Sequence, residues 1–293
     1  MHGFNTTFRV ETEDGRRFAL RVNTNSVSTR ANVRAQQAWL HAIRAETPVL
    51  VPEPLAALSG EFVVQVPCAE LGGEALVTVA HWLEGEDIRV CLPAQAQALG
   101  AAMARLHAQA AHWSPPAGTE LPDYVAPLFG DPDQLTPALA RLPRRDADVV
   151  RIALQRSAIA FDEVCRNTSR IALHADLHGD NLKWHRGQLA IFDFDDAGMS
   201  VPILDLAVAV FYLRGGGPDE EAALLDGYAS VRALPEHDGS RFEAIVAARQ
   251  LLLANALLQT STAAWREEAD SYLATTVSRL RNWLETGRFT LAS

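Results

Sequence analysis

Residues 171–205 read IALHADLHGDNLKWHRGQLAIFDFDDAGMSVPILD, and this stretch decides the fold. A short apolar run at 171–173 leads into a polar segment holding His174, Asp176, His178, Asp180 and Asn181. A second run covers 182–184, and His185-Arg186-Gly187 turns the chain. A third run at 189–192 delivers Asp193, Asp195 and Asp196 at its end. Short apolar runs bounded by glycine and polar clusters mark buried strands. The carboxylates are therefore expected at the mouths of strands, directed into one space. Unpaired burial of carboxylates is costly, which makes this density of acid unusual for a protein interior.

The spacing carries chemistry. His174-x-Asp176-x-x-x-x-Asn181 matches the H-x-D-x-x-x-x-N catalytic loop, and Asp193-Phe194-Asp195 stands where protein kinases carry D-F-G. HADLHGDN followed by IFDFDDAG and PILDLA resembles the aminoglycoside phosphotransferase and choline kinase branch of the protein-kinase-like superfamily. One loop alone would be a modest signal; two in the right order, each opening from a strand, are specific. The resemblance implies ATP-dependent phosphorylation of a hydroxyl on a small molecule. It implies that Asp176 accepts or orients the proton of the attacking hydroxyl. It also implies that Asn181 and Asp193 hold Mg2+, a hard cation that takes oxygen ligands and bridges phosphates. His174 completes the catalytic loop, and packing and hydrogen bonding suit it better than a base's role. Asp195 is counted with the metal ligands. It and Asp196 are open between reaching metal or substrate and capping the loop, and capping is expected of Asp196. Asp205 is expected to accept backbone N–H groups of the catalytic loop. A rival register starting at His178-Gly179-Asp180 lacks the asparagine, since His185 stands in its place.

Toward the N-terminus, residues 4–10 and 16–22 flank Glu11-Thr12-Glu13-Asp14-Gly15, and the Asp-Gly pair predicts a β-hairpin. In the second strand Phe18, Leu20 and Val22 share one face, and Arg17, Ala19 and Arg21 the other. FALRV resembles the kinase strand that carries V-A-I-K. That implies Arg21 in the lysine's place and Ala19 as a roof over the adenine. Arginine's planar fork binds phosphate well, but Arg and Lys are not interchangeable; an edge-strand arginine facing solvent is the other reading. The resemblance also implies a turn over the phosphates before this strand. There is no Gly-x-Gly-x-x-Gly, and Asn5-Thr6-Thr7 stands there instead, which makes Asn5 a nucleotide-contact candidate. A missing first strand is the alternative. Residues 31–45 predict a helix with Val33, Gln36 or Gln37, Leu40 and Ile43 along one face. The glutamate that pairs with the strand lysine in kinases falls on Gln36. Both members of that ion pair are thus altered; a hydrogen bond between them and an Arg21 held by phosphate alone stay open.

Pro48, Pro52 and Pro54 make 47–54 an extended connector. Residues 55–58 and 61–66 predict a second hairpin about Ser59-Gly60, and 75–82 a further strand. That strand ends in HWLEGEDI, which resembles the lobe-connecting hinge and implies backbone contacts to the adenine edge near Ala80 and Trp82. From Pro93 the pattern turns helical, with His107 and His112 read as surface or capping residues at the helix end. Residues 114–137, rich in Pro, Gly and acids, read as a substrate-side loop. Further helices are expected at 147–167, 202–213, 219–231, 241–259 and 263–285.

With 293 residues, 48% hydrophobic and 21% charged, the composition is globular and leaves room for two lobes. The longest apolar run, near 203–213, is too short to span a bilayer. The first residues show no apolar signal region. Cys68, Cys91 and Cys165 lie far apart, which fits neither a disulfide framework nor a zinc site and suits a reducing, cytoplasmic setting. A formal net charge of −10 disfavours a nucleic-acid partner and mildly favours a cationic, amino-bearing or neutral acceptor.

The expected fold is α+β and bilobal, as in protein kinases, with a small antiparallel-sheet N-lobe and a larger, mostly helical C-lobe. Residues 1–79 would bind the nucleotide, 80–86 form the hinge, and 87–293 carry catalysis and the acceptor. Two other classes are open. The altered Arg21 and Gln36 admit a kinase-like nucleotide-binding module without efficient catalysis. His174, Asp176, His178 and Asp180, with Asp193 and Asp195, admit a metal-dependent phosphohydrolase.

Overall fold

The computed structural model describes residues 5–24, 28–69, 73–236, 238–259 and 263–292, with side chains in the last segment from 268 onward. The N-terminal hairpin forms as its Asp-Gly turn requires. β1 (Asn5–Glu11) and β2 (Arg17–Asn23) pair antiparallel, with Thr7 opposite Arg21. β2 continues onto β5 (Gly73–His81), the long strand of the sheet, with Ala19 opposite Ala80. β3 (Pro54–Leu55) and β4 (Val64–Cys68) line up one after the other along the far edge of β5. This corrects the expected second hairpin. The turn exists, since Ala57 N–H donates to Glu61 O at 2.9 Å. The segments beyond it diverge onto β5, where Leu55 meets Val79 and Val64 meets Val77. A correction also falls on Asn5-Thr6-Thr7, which is the start of a strand and not a turn.

α1 (Arg30–Glu46) starts at Thr29, whose hydroxyl accepts from Asn32 N–H while the Asn32 side chain accepts from the Thr29 N–H. This reciprocal cap satisfies two donors that a helix end otherwise leaves free. The helix buries Val33, Trp39, Leu40 and Ile43. Trp39 packs edge-on against Phe194 at 5.4 Å and donates from Nε1 to Gln109 Oε1 at 3.0 Å. One side chain thus ties the small lobe to the helical lobe and to the Asp193 loop.

The helical lobe contains α2 (Pro93–Ala110), the short α3 (Leu135–Ala138), α4 (Arg144–Asn167), α5 (Ile203–Leu213), α6 (Pro218–Ala229), α7 (Gly239–Gln259) and α8 (Ala263–Thr286). Apart from Tyr212, every residue of α5 is buried, so α5 is the axis of this lobe. α2 and α6 approach closely at Gly100 and Gly227. A Cβ on Gly100 would lie 1.9 Å from Leu224 O, and one on Gly227 2.0 Å from Gln97 O. Only glycine permits that backbone contact.

Two small sheets carry the loops of the central stretch. β7 (Ile171–Leu173) pairs with β10 (Gly198–Ser200), and β8 (Leu182–His185) lies between β6 (Glu86–Asp87) and β9 (Gln188–Ile191). Arg186 and Gly187, at φ 51° and 80°, form the tight β8–β9 turn. A parallel bridge from Leu50 to Ala190 anchors the proline connector to β9. The architecture is the bilobal α+β arrangement expected. Among the described residues no helix is long and apolar enough to cross a membrane.

Candidate active site

β7 delivers the chain to His174, Ala175 and Asp176. Ala175 has φ 62°, a left-handed conformation that a residue with a Cβ adopts only when held there. Asp205, fully buried on α5, holds it. Its Oδ1 accepts from Ala175 N–H at 2.7 Å and its Oδ2 from His174 N–H at 3.3 Å. This is the contact expected of Asp205. Its Oδ2 also faces His107 Nε2 at 3.1 Å, and His107 Nδ1 faces the Tyr228 hydroxyl at 2.9 Å. A carboxylate can only accept, so Nε2 carries the proton and the tyrosine donates to Nδ1. His107 is thus a core residue behind the catalytic loop, correcting its expected place at the surface. An apolar helix face hides such a histidine until its acid partner is known. His174 is also fully buried. Its Nε2 donates to Phe192 O at 2.9 Å, its Nδ1 accepts from Asp176 N–H at 3.3 Å, and its ring packs on Phe194 at 4.6 Å. It locks the two loops together and has no contact with the open cleft.

The Asp176 carboxylate is held at both oxygens. Oδ2 accepts from Asn181 Nδ2 at 3.0 Å and faces His178 Nε2 at 3.3 Å; Oδ1 takes the Arg249 guanidinium. Arg249 comes from α7 and is 7% exposed. It also donates to the Tyr212 hydroxyl at 2.9 Å and lies over the Tyr212 ring at 5.4 Å. Tyr212 in turn stacks on His178 at 4.4 Å. Burial raises the Asp176 carboxyl, but the Arg249 guanidinium and the His178 contacts outweigh it and leave the acid well below the usual range. Sequence reasoning missed Arg249. The available signal was one charge inside the apolar run AIVAARQLLLAN of residues 244–255, since a buried guanidinium needs an acid partner.

β9 delivers Asp193, which is left-handed at φ 61°. Its Oδ1 accepts from Arg21 Nη2 at 3.0 Å, and the same Nη2 bonds Asp195 Oδ2. Asn5 Nδ2 also reaches Asp195 Oδ2. Gln36, 4% exposed, donates to the Asp195 backbone carbonyl at 2.9 Å. So the open reading of a hydrogen bond between Arg21 and Gln36 is not met. Arg21 pairs with the two acids of the second loop and not with Gln36, because a neutral amide offers no counter-charge. Two buried polar atoms beside this ion pair, Arg21 Nε and Asn5 Oδ1, have no hydrogen-bond partner among the described residues. Burial raises the Asp195 carboxyl, and the neighbouring Asp193 charge adds to that against the pull of Arg21.

Ala19 lies beside Arg21 on the cleft face of β2, opposite Ala80. Of the expected hinge contacts, the Trp82 N–H is already engaged, donating to Arg17 O at 3.0 Å. This bond extends the β2–β5 pairing past His81, so Trp82 cannot offer its amide to a base without breaking it.

The opposite wall holds Asp196, Tyr124 and Asp131. Asp196 is exposed at its surface, within reach of the Asp176 and Arg249 charges. It makes no hydrogen bond or ion pair with any described residue, which corrects its expected capping role. Burial and the Asp176 charge push its carboxyl up to about 7, partly opposed by Arg249. Tyr124 is fixed by its N–H to Met199 O at 2.9 Å, and its ring fills the space where a Cβ on Gly198 would stand. This pins the 114–137 loop beside Asp196. Burial also raises Asp131 in that loop.

Residues 3–242 match the model of the phosphotransferase enzyme family. The chain belongs to that family. No curated protein sequence matches it. Solved structures share the phosphotransferase fold. An amicoumacin kinase in complex with AMP-PNP, Ca2+ and Ami superposes with a TM-score of 0.75 at 17% identity, over 95% of this chain and 86% of that one. A microcompartment-associated aminopropanol kinase gives 0.73 at 23% identity, over 98% and 92%. A spectinomycin phosphotransferase in complex with ADP and spectinomycin gives 0.65 at 13%, over 96% and 89%. At these identities the likeness is one of fold.

Proposed function

We propose that this phosphotransferase moves the γ-phosphoryl group of ATP to a hydroxyl of a small, amine-bearing molecule, with Mg2+ held between its two acidic loops. The observation that carries the reading is the Asp176 carboxylate, fixed at both oxygens on a loop that His174 ties to the Phe192 carbonyl, immediately before Asp193. Residues 1–79 form the nucleotide lobe in this reading, 80–86 the hinge and 87–293 the catalytic and acceptor lobe.

The residues fit the groups proposed. Asn181 spends its Nδ2 on Asp176, which leaves its side-chain carbonyl oxygen as a hard donor, and its backbone carbonyl accepts from Phe192 N–H at 3.0 Å, next to Asp193 in the chain. A small oxygen-donor set completed by phosphates is how Mg2+ is usually held. Among the described residues no group of three or more His, Cys, Asp and Glu side chains is placed to hold a metal unaided. That counts against the phosphohydrolase reading. The unpartnered Arg21 Nε suits a phosphate oxygen. When bound, Mg2+ would neutralise charge on the transferring group.

The chain's own residues do the rest. Asp176 accepts a hydrogen bond from the acceptor hydroxyl and aims its oxygen at the phosphorus. Held below the usual carboxylate range, it orients the hydroxyl more than it removes the proton; the new P–O bond forms as the bond from the γ-phosphorus to the bridging oxygen breaks, ADP leaves with that oxygen, and the hydroxyl proton passes to Asp176. That suits a loose transition state, where positioning and charge matter most. Arg249 and Asn181 keep the carboxylate in one rotamer. Asp196 meets the acceptor's ammonium group.

Asp176→Asn should bind ATP nearly as the parent does, while acceptor-stimulated ADP release from a panel of amino alcohols, amino acids and amino sugars falls by roughly a hundredfold or more. Equal turnover by the variant would remove Asp176 from the role. If no member of the panel stimulates the parent, the amine-bearing acceptor is refuted.

A further inference from the structure

A kinase-like site needs its strand cation free to meet phosphate and its acids free to meet metal. Here each occupies the other. One guanidinium nitrogen of Arg21 contacts both Asp193 Oδ1, at 3.0 Å, and Asp195 Oδ2. Asn5 adds a further donor to Asp195. No other acid is an ion-pair partner of Arg21 among the described residues. Gln36, on the helix that would supply a counter-charge, is neutral and turned to the Asp195 carbonyl.

From this geometry we propose that Arg21 is the resident counter-cation of the metal-binding acids, so that divalent cation and nucleotide enter the site only together. The proposal rests on the functional reading of Asp193 and Asp195 as metal ligands. A magnesium-sized ion binds carboxylate oxygen at about 2.0–2.1 Å. On the Asp193 oxygen that already accepts from Arg21, it would stand a few ångströms from the guanidinium. Two cations that close, in a partly buried cleft, repel. Metal alone must therefore displace Arg21 into a space offering no acid. Nucleotide changes this balance. Its phosphates would provide an alternative anion, and Arg21 has an unpartnered Nε to offer them. Moving the guanidinium from carboxylate to phosphate frees both acids at the moment the metal arrives with the same phosphates. The effect is reciprocal by linkage: nucleotide tightens metal binding by the factor by which metal tightens nucleotide binding.

The substitutions at Arg21 and Gln36 thereby act as one device. A carboxylate at position 36 could hold Arg21 away from the metal acids permanently. With glutamine there, the acids themselves hold it.

The test is Mn2+ binding, followed by electron paramagnetic resonance of the free ion, in the parent, Arg21→Met and Arg21→Lys, each with and without ADP. Without nucleotide the parent should bind Mn2+ weakly. Arg21→Met should bind it more tightly by roughly tenfold to a hundredfold, the range of one charge-assisted contact. Arg21→Lys, which keeps the charge, should resemble the parent. ADP should tighten Mn2+ binding to the parent by at least about tenfold and to Arg21→Met by much less. If Arg21→Met binds Mn2+ no more tightly than the parent without ADP, while the parent with ADP binds it well, the proposal is overturned and the kinase reading stands. If the parent binds no Mn2+ even with ADP, both are overturned.

Discussion

Arg249 and Asp176 provide a quantitative test of how the catalytic loop is held. The two side chains are 7% and 18% exposed, and Arg249 is the one cation on Asp176 Oδ1 among the described residues. Arg249→Met keeps the apolar stem and removes the charge. Breaking a buried ion pair on one side costs about 3–5 kcal/mol, because the surviving charge is left unpaired. Asp176 retains Asn181 and His178 as donors and touches solvent, so the cost falls at or just below the lower end of that range, about 2–3 kcal/mol. At roughly 2 °C per kcal/mol for a chain of this size, the melting temperature should fall by about 5 °C. Asp176→Asn alone should also destabilise, since it leaves the guanidinium with only Tyr212. The double variant removes both charges and should be less destabilised than the sum of the two by at least about 1.5 kcal/mol. The assay is chemical denaturation of the four proteins at one ionic strength. Additivity within about 0.5 kcal/mol would show that the pair is not coupled and would refute the reasoning.

Gly100→Ala should destabilise by about 3 kcal/mol, because its Cβ would fall 1.9 Å from Leu224 O and force α2 from α6; unchanged melting would refute that packing. Asp205→Ala should cost at least about 3 kcal/mol and abolish turnover, since the N–H groups of His174 and Ala175 and the His107 ring lose their acceptor; a stable, active variant would contradict the assigned role. Asp196→Asn should do the reverse, raising stability while weakening acceptor binding. A carboxyl raised to about 7 favours the protonated fold between its ordinary value and 7, so the parent loses stability as pH rises through that window and the variant does not. Taken in full the shift is worth about 4 kcal/mol, but solvent at this accessible group reduces it to about 1, measured as the difference in denaturation at pH 8.

The fold was legible where residue type and spacing enforce a local answer. Asp14-Gly15 gave the first hairpin, the three apolar runs of 171–192 gave the catalytic strands, and the helical periods gave the larger lobe. The failures share one cause, which is that the partner lies far along the chain. Residues 55–66 look like a hairpin locally, yet both halves pair with β5 because β5 offers a longer edge. His107 resembles a surface histidine until Asp205 and Tyr228 are known to lie beside it. The left-handed Ala175 and Asp193 carry no glycine to mark them. In the candidate site, the closeness of Asp176 and Asn181 was readable because one short loop fixes their mutual positions. Arg249 was not, since α7 enters the cleft by tertiary packing alone.

The charge balance of the cleft explains why an altered strand cation need not mean a lost activity. Two guanidiniums, Arg21 and Arg249, face four acids: Asp176, Asp193, Asp195 and Asp196. Arg249 is committed, because burial on α7 and the Tyr212 contacts leave it no other anion. Arg21 is not, because its side chain is 23% exposed on β2 and has a donor to spare. A triphosphate carrying one magnesium remains anionic, so Arg21 can follow it while the metal takes the acids Arg21 leaves. Asp196 is the acid that neither arginine pairs with, and that exchange does not reach it. On the function proposed above, a cationic acceptor would supply the missing charge near Asp176. In the proposed reading, the same imbalance that raises Asp196 favours a cationic acceptor.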